Sequence, residues 1–299
     1  MHFEEVTLSH RPIITSIVAE SGELGCEYCF GNFFMWAWVY NTRIHLGDNF
    51  FVTKEERPFK RFLCPIGNPN DAELQALIPA LIADAKQNRH PFTMHRVRKE
   101  CIGRIREMFG DRFIFTPERD DFDYIYRRDD LAFLPGKKYH SKRNFITRFE
   151  AENPDWSYEE INEKNLSACV EICEKWLTTQ IGNTGAEIEY KALCLGFDHY
   201  EELGFKGGLL RVKGVPVAFT FGEPITDKCF VTHAEKALRE YTGIYAMINR
   251  EFAKNTLSDY ELINREEDMG IEGLRTAKLS YHPTMLYEKY IMTERSILL

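Results

Sequence analysis

The sequence has no long apolar run. Its most apolar window, Phe30 to Tyr40, covers about 11 residues, where a membrane-crossing helix needs about 20. The opening Met1-His2-Phe3-Glu4-Glu5 lacks the basic stretch and apolar run of a secretory leader. Zinc-type cysteine spacing is also scarce. Of eight cysteines only Cys26 and Cys29 form a C-x-x-C pair, half of the usual four-ligand set. Cys169 and Cys173 have a helical spacing that suits plain core packing. The cysteines therefore read as reduced, buried thiols, with zinc or redox chemistry as the alternative, and no metal site is singled out. Nor is there an excess of positive charge. Lys plus Arg number 38 against 46 Asp plus Glu, a net charge of −8, so the surface as a whole is not built to grip nucleic acid. These absences predict a cytosolic chain and leave peripheral contact at the inner membrane surface open.

What is present is ordinary globular composition over 299 residues, 44% apolar and 28% charged. A chain of this size buries enough surface to need no disulfide or metal staple. Hydrophobic periodicity predicts a helix around Ile13 to Val18 capped by Ser9, then a helical or extended segment at Phe30 to Tyr40. A strand meander follows at Ile44–Leu46, Phe50–Val52 and Arg61–Ile66. After it come a helix capped by Asp71, a strand at Phe92–His95, a helix at Lys99–Phe109, and strands at Phe113–Phe115 and Phe122–Tyr126.

The second half repeats this order. It reads as a strand at Trp156–Ile161, helices at Leu166–Thr178 and Glu187–Leu203, and strands at Gly208–Val212, Val215–Phe221 and Cys229–His233. A helix at Gly243–Lys254, a strand at Tyr260–Ile263, a helix at Ile271–Leu279 and a strand at Leu286–Met292 complete it. The repetition is one of element order, not of residues. The joint, Gly136 to Pro154, contains a predicted linking helix from Lys137 to Glu152. The fold class is thus α+β, with mixed sheets flanked by helices. The order resembles two tandem acyltransferase domains of the Gcn5-related N-acetyltransferase (GNAT) type: residues 1–134, a linking helix at 135–153, and residues 154–299.

Two long motifs sharpen the resemblance. One is Leu134-Pro-Gly-Lys-Lys-Tyr-His-Ser-Lys-Arg-Asn-Phe-Ile-Thr-Arg-Phe149. The other is Ile263-Asn-Arg-Glu-Glu-Asp-Met-Gly-Ile-Glu-Gly-Leu-Arg-Thr-Ala-Lys-Leu-Ser-Tyr-His-Pro283, with Lys289-Tyr290 beyond it. Both resemble the C-terminal aminoacyl-transfer domain of phosphatidylglycerol lysyltransferases and its free-standing bacterial relatives. Phe30-Gly-Asn-Phe-Phe-Met-Trp36 and Ala234-Glu-Lys236 fit the same group. The resemblance implies an aminoacyl or acyl transferase that takes its donor from aminoacyl-tRNA. The acceptor would be a hydroxyl or amine on a lipid headgroup, a peptide or a small molecule. The membrane-spanning half of the lipid-modifying enzymes has no counterpart in this sequence, which leaves the acceptor open.

In this fold the donor carbonyl sits where two neighbouring strands part, here Cys229–His233 and Tyr260–Ile263. The resemblance therefore points to His233, Glu235 and Lys236 on one strand and Asn264, Glu267 and Asp268 after the other. Acyl transfer needs a proton acceptor beside the attacking group. Asp268 is the first choice as base or ammonium binder and Glu235 the second, although Asp268 also suits a helix cap. Tyr281 is placed to protonate the leaving ribose oxygen. Arg275 and Lys278 share a face of the last helix and, with Lys289, suit a phosphate of a tRNA end or headgroup; late basic residues also suit the helix dipole.

An acyl-CoA donor is the alternative. It is disfavoured because Arg239-Glu-Tyr-Thr-Gly243-Ile-Tyr-Ala246 has one glycine where the phosphate-cradling loop of acetyltransferases needs more. A non-catalytic binding protein on the same fold is the third reading.

Two basic windows interrupt the acidic background. Lys86 to Arg112 holds eight Lys or Arg and three acids, and Lys137 to Arg148 holds five and none. Lys137, Lys138, Lys142 and Arg143 are the candidate contacts to a tRNA acceptor end; a solvated helix face is the alternative. The aromatics between Phe30 and Tyr40 suit core packing, with an acyl-chain or membrane contact as the other use.

Overall fold

The computed structural model describes residues 1–295. Along the chain lie β1 (Glu4–Glu5), α1 (Arg11–Ser21), α2 (Phe30–Tyr40), β2 (Arg43–Leu46), β3 (Phe50–Glu55), β4 (Arg61–Leu63), β5 (Ile66–Gly67), α3 (Asp71–Gln87), β6 (Thr93–Arg98), α4 (Lys99–Phe109), β7 (Phe113–Pro117), β8 (Asp123–Arg127) and α5 (Arg128–Phe133). The linking helix α6 (His140–Glu152) follows. Then come β9 (Trp156–Glu160), α7 (Leu166–Thr178), α8 (Thr184–Asp198), β10 (Lys206–Val212), β11 (Val215–Pro224), β12 (Cys229–Ala237), α9 (Ile244–Glu251), β13 (Leu262–Asn264), α10 (Glu272–Leu279), β14 (Met285–Tyr287) and β15 (Lys289–Glu294).

Local chemistry accounts for several boundaries. Asn70, rather than Asp71, caps α3: its side chain accepts from the Glu73 amide while Glu73 reaches back to the Asn70 amide, a reciprocal pair that satisfies two free helix donors. Lys213 and Gly214 both take positive φ, 51° and 78°, which matches the twist of the β10–β11 hairpin they connect.

The strands form two mixed sheets in alternation with three helical layers. Helices α3 and α4 pack on the outer face of the first sheet, around Phe62, Leu81, Met94 and Met292. Between the sheets, α1, α2, α7 and α8 bring Ile14, Phe30, Cys173 and Phe197 against Phe51, Phe219 and Phe221. Helices α6 and α9 cover the outer face of the second sheet, with Phe149 and Met247 against Val217, Phe230 and Ile263. Apolar side chains dominate the contacts between layers, and their burial is the main force holding the stack.

The sheet order departs from a simple division at residues 134 and 154. The first sheet runs β1-β2-β3-β4-β6-β15-β7, with β5 pairing on β3; the second runs β14-β8-β13-β12-β11-β10-β9. Thus β8, from the first half, lies inside the second sheet, and β15, from the second half, lies inside the first. The single strand expected at Leu286–Met292 is two strands in different sheets, parted at Glu288. Alternating apolar residues show that a segment is a strand. They do not show which sheet it joins, because both sheets offer it equally apolar neighbours.

Candidate functional site

Strands β12 and β13 run parallel for three pairs, Cys229 with Leu262, Phe230 with Ile263 and Val231 with Asn264, and then part. Two backbone features open the gap. On β12 the pairing with β11 jumps from Thr232 to Ala234, so His233 occupies a bulge. After β13, Glu266 adopts φ 59°, a conformation that side-chain-bearing residues seldom hold without support. The support comes from Lys278 on α10. Its ammonium donates to the carbonyl oxygens of Arg265 at 2.6 Å and Glu266 at 3.1 Å, and also to that of Glu267. Lys278 thereby gathers three successive carbonyls, of which that of Glu266 also accepts the Tyr124 amide at 3.2 Å.

The four charged residues following Asn264 go to four different places. Arg265 turns to Glu235, 3.2 Å away. Glu266 meets His233 Nδ1 at 2.8 Å, while His233 Nε2 meets Glu223 at 2.9 Å. Glu267 accepts from the Cys26 thiol at 3.2 Å. Asp268 is fully buried and receives Arg275 at 2.8 and 2.9 Å, Arg119 at 3.1 Å, the Tyr124 hydroxyl at 2.5 Å and the Gly270 amide at 2.9 Å.

These contacts correct several expectations. Asp268 is not a free base. Although burial alone would raise its pKa, the Arg275, Tyr124 and Gly270 hydrogen bonds outweigh that and hold it well below the usual carboxylate range. It caps the Met269–Gly270 turn before α10 and anchors Arg275, which is occupied there and with Asp120 at 2.5 Å. His233 lies between two carboxylates that outweigh the cost of its burial and raise its pKa to about 9, so at neutral pH it is an imidazolium bridge and not a proton acceptor.

Asn264 donates to Asp123 at 2.9 Å and to the Leu24 carbonyl at 2.7 Å, deep between the sheets. Lys289 is wholly buried there as well, 2.6 Å from Glu27 and 2.7 Å from Asp123. Lys236 also points between the sheets, onto Glu189 of α8 at 2.7 Å and the Trp176 ring of α7 at 3.6 Å. Arg143 binds the Leu134 and Gly136 carbonyls and closes the turn before α6. Lys138 pairs with Asp130 at 3.6 Å, and Lys137 is exposed.

One group of candidates does converge. Glu235 is buried except for 13% of its side chain. One oxygen takes the Arg265 guanidinium. The other, Oε2, is buried beside the side-chain amide of Asn249. Burial raises the Glu235 pKa against the opposing pull of Arg265, Asn249, Lys278 and Lys142.

Tyr281 closes the same place. Arg265 lies 5.1 Å and Lys142 4.0 Å from its ring centre, and burial raises its pKa to about 12. Lys142, expected on a nucleic-acid track, instead donates to Ser280 at 2.6 Å; burial and the Arg265 charge lower its pKa to about 8. Arg265, Asn249 and this use of Lys142 escaped the sequence reading. Arg265 had a signal, since it directly follows the last paired residue of β13. The start of α9 is closed: a Cβ on Gly243 would strike the Phe145 carbonyl of α6, so the linking helix covers the place of a phosphate loop.

The arrangement is therefore a carboxylate, a phenol and an amine at the place where two strands part. No helix among the described residues is long and apolar enough to cross a membrane.

Comparisons with known proteins agree with this architecture. A conserved protein of unknown function from Bacteroides thetaiotaomicron is 40% identical, with a TM-score of 0.89 over 98% of this chain and 99% of that one. L-PGS from Bacillus licheniformis superposes with a TM-score of 0.66 at 15% identity, over 98% and 94% of the two chains. A tandem GNAT protein from the clavulanic acid biosynthesis pathway gives 0.51 at 9% identity, over 97% of each chain. The fold is thus the tandem acetyltransferase-like one. Among curated proteins, an uncharacterized protein of Mycoplasmoides gallisepticum is 22% identical over 179 residues, which span 57% of this chain and 55% of that protein. The family model described as phosphatidylglycerol lysyltransferase, C-terminal, matches residues 18–293, and the chain belongs to that family.

Proposed function

We propose that the protein transfers an aminoacyl group from aminoacyl-tRNA to a hydroxyl or amine acceptor at the parting of β12 and β13. The observation that carries this reading is Glu235, a largely buried carboxylate of raised pKa placed beside Tyr281 and Lys142. Family membership supplies the donor class. The acceptor's nucleophilic atom forms a bond to the aminoacyl carbonyl carbon and gives its proton to Glu235. The ester bond to the tRNA ribose breaks, and its oxygen takes a proton from Tyr281. Arg265 and Lys142 lie beside these groups and stabilise negative charge on the carbonyl oxygen or on a nearby phosphate. Exposed Lys137, on the turn leading into α6, faces the acceptor stem in this reading.

An acyl-CoA donor is less well supported, because α6 covers Gly243 at the start of α9. The test is incubation with labelled aminoacyl-tRNAs and phosphatidylglycerol vesicles, and separately with soluble hydroxyl and amine acceptors. Ribonuclease-sensitive label in the acceptor, lost in Glu235→Gln, is expected. Absence of product with every amino acid refutes the transfer, and tRNA binding without product identifies a binding protein instead.

A further inference from the structure

A second group of side chains stands apart from this site, on the first sheet. Among the described residues, three sets of side chains bring metal-ligating atoms within 4.8 Å of one another: Cys29 with Glu223 and His233, Cys26 with Asp123 and Glu267, and His95 with Glu118 and Asp121. The first two are occupied by protein cations. His233 already spends both ring nitrogens on carboxylates, and the Lys289 ammonium fills the space beside Asp123 and Cys26. The third set has only Arg96 at its edge, 3.9 Å from Asp121.

His95 is fully buried on β6, and neither ring nitrogen has a hydrogen-bond partner. Glu118 Oε2 is buried and unpartnered too. An imidazole with two idle nitrogens beside idle carboxylate oxygens is a costly arrangement unless something binds there. The local charges define what is missing. Arg61 faces Glu55 at 2.7 Å, and Arg96 faces Glu27 at 3.5 Å. Setting these two ion pairs aside leaves Glu118 and Asp121, two carboxylates, beside the His95 imidazole.

We propose that His95, Glu118 and Asp121 bind a divalent first-row transition cation, Zn2+ foremost. One imidazole nitrogen and two carboxylate oxygens suit such an ion better than Mg2+ or Ca2+, which prefer all-oxygen sets. Bonds of about 2.0–2.2 Å to nitrogen and oxygen require the side chains to close in by roughly half an ångström. The role is structural. The segment carrying Glu118 and Asp121 leads from β7 of the first sheet into β8 of the second, and between them Arg119 reaches Asp268. A cation on His95 fixes that crossing to the first sheet at the point where the chain changes sheets.

The test is titration of the chelator-stripped full chain with Zn2+ against a chromophoric chelator, with Co2+ as an optical probe and thermal unfolding alongside. One equivalent per chain and a rise in Tm with Zn2+ are expected. Losing a direct ligand in His95→Gln or Glu118→Gln should weaken binding by more than the 10- to 100-fold typical of a supporting partner, while Cys26→Ser leaves it unchanged. Absence of Zn2+ binding by the wild-type chain overturns the site. So does binding abolished by Cys26→Ser but kept in His95→Gln, or a Co2+ spectrum with thiolate charge transfer. The last readout uses only wild-type protein and so decides the question even if the variants do not fold.

Discussion

Lys289 and Asp123 open the two exchanged strands and hold each other across the molecule, 2.7 Å apart with both side chains fully buried. Asp123 begins β8, which the first half lends to the second sheet. Lys289 begins β15, which the second half lends to the first. Glu27, 2.6 Å from the same ammonium, and the Cys26 amide, 2.8 Å from Asp123, add the loop before α2 to this clasp.

Removing the cation strands two carboxylates in a desolvated place. Lys289→Met should cost about 3–5 kcal/mol of stability, measured by urea unfolding, because a buried ion pair broken on one side leaves an uncompensated charge. Adding Asp123→Asn should recover part of the loss. A single variant as stable as wild type would refute the clasp.

Glu235 and Asp268 should separate cleanly. Glu235→Gln keeps the shape but leaves Arg265 facing a neutral amide, so some stability is lost, while transfer falls by about 10²–10⁴-fold, the usual span for a lost general base. Asp268→Asn should lower Tm instead, since Arg275, Arg119 and Tyr124 all converge on that carboxylate. The pKa of Asp268 is depressed in the fold, so its contribution is present above the unfolded value of about 4 and fades as the solution becomes more acidic. A flatter acid limb of the stability curve in Asp268→Asn checks the sign.

The His233 bridge predicts the opposite limb. Its folded pKa of about 9 lies above the unfolded value of about 6.5. The stabilisation is thus complete below about pH 6.5 and is lost as pH rises through about 9. Denaturation curves from pH 6 to 10 should fall more steeply for wild type than for His233→Gln. Parallel curves would show that the ring is not charged.

Lys142 should be an unusually reactive amine. With a pKa of about 8 against an ordinary 10.5, it is half deprotonated near pH 8, where an ammonium of ordinary pKa is not. Brief treatment with an amine-acylating reagent at that pH, read by peptide mass spectrometry, should modify Lys142 ahead of the more exposed Lys137. Equal labelling, or labelling of Lys137 first, would count against the lowered pKa.

Much of the element order was legible because helices and strands carry their own periodicity. Lys99–Phe109 and Leu166–Thr178 are helices with the bounds expected, and the turn at Lys213-Gly214 closes its hairpin. The exchange of β8 and β15 was not legible, since it depends on packing between elements remote in the chain. The site was half legible for a related reason. Sequence placed charged residues at the parting of β12 and β13, but the direction of each depends on the bulge at His233 and the left-handed turn at Glu266. Those two backbone details send Asp268 to Arg275 and leave Glu235 beside Tyr281 and Lys142. His95, Glu118 and Asp121 have no telling spacing, so only their juxtaposition in space reveals them.

The reciprocal loan of strands also dictates a timetable for synthesis. Since β15 lies between β6 and β7, the N-terminal sheet lacks an interior member until translation has passed residue 294. Until then β6 and β7 present open edges that invite wrong partners. The halves therefore mature together after the last of these strands emerges, and cutting at the linking helix yields two fragments that each need the other to close a sheet.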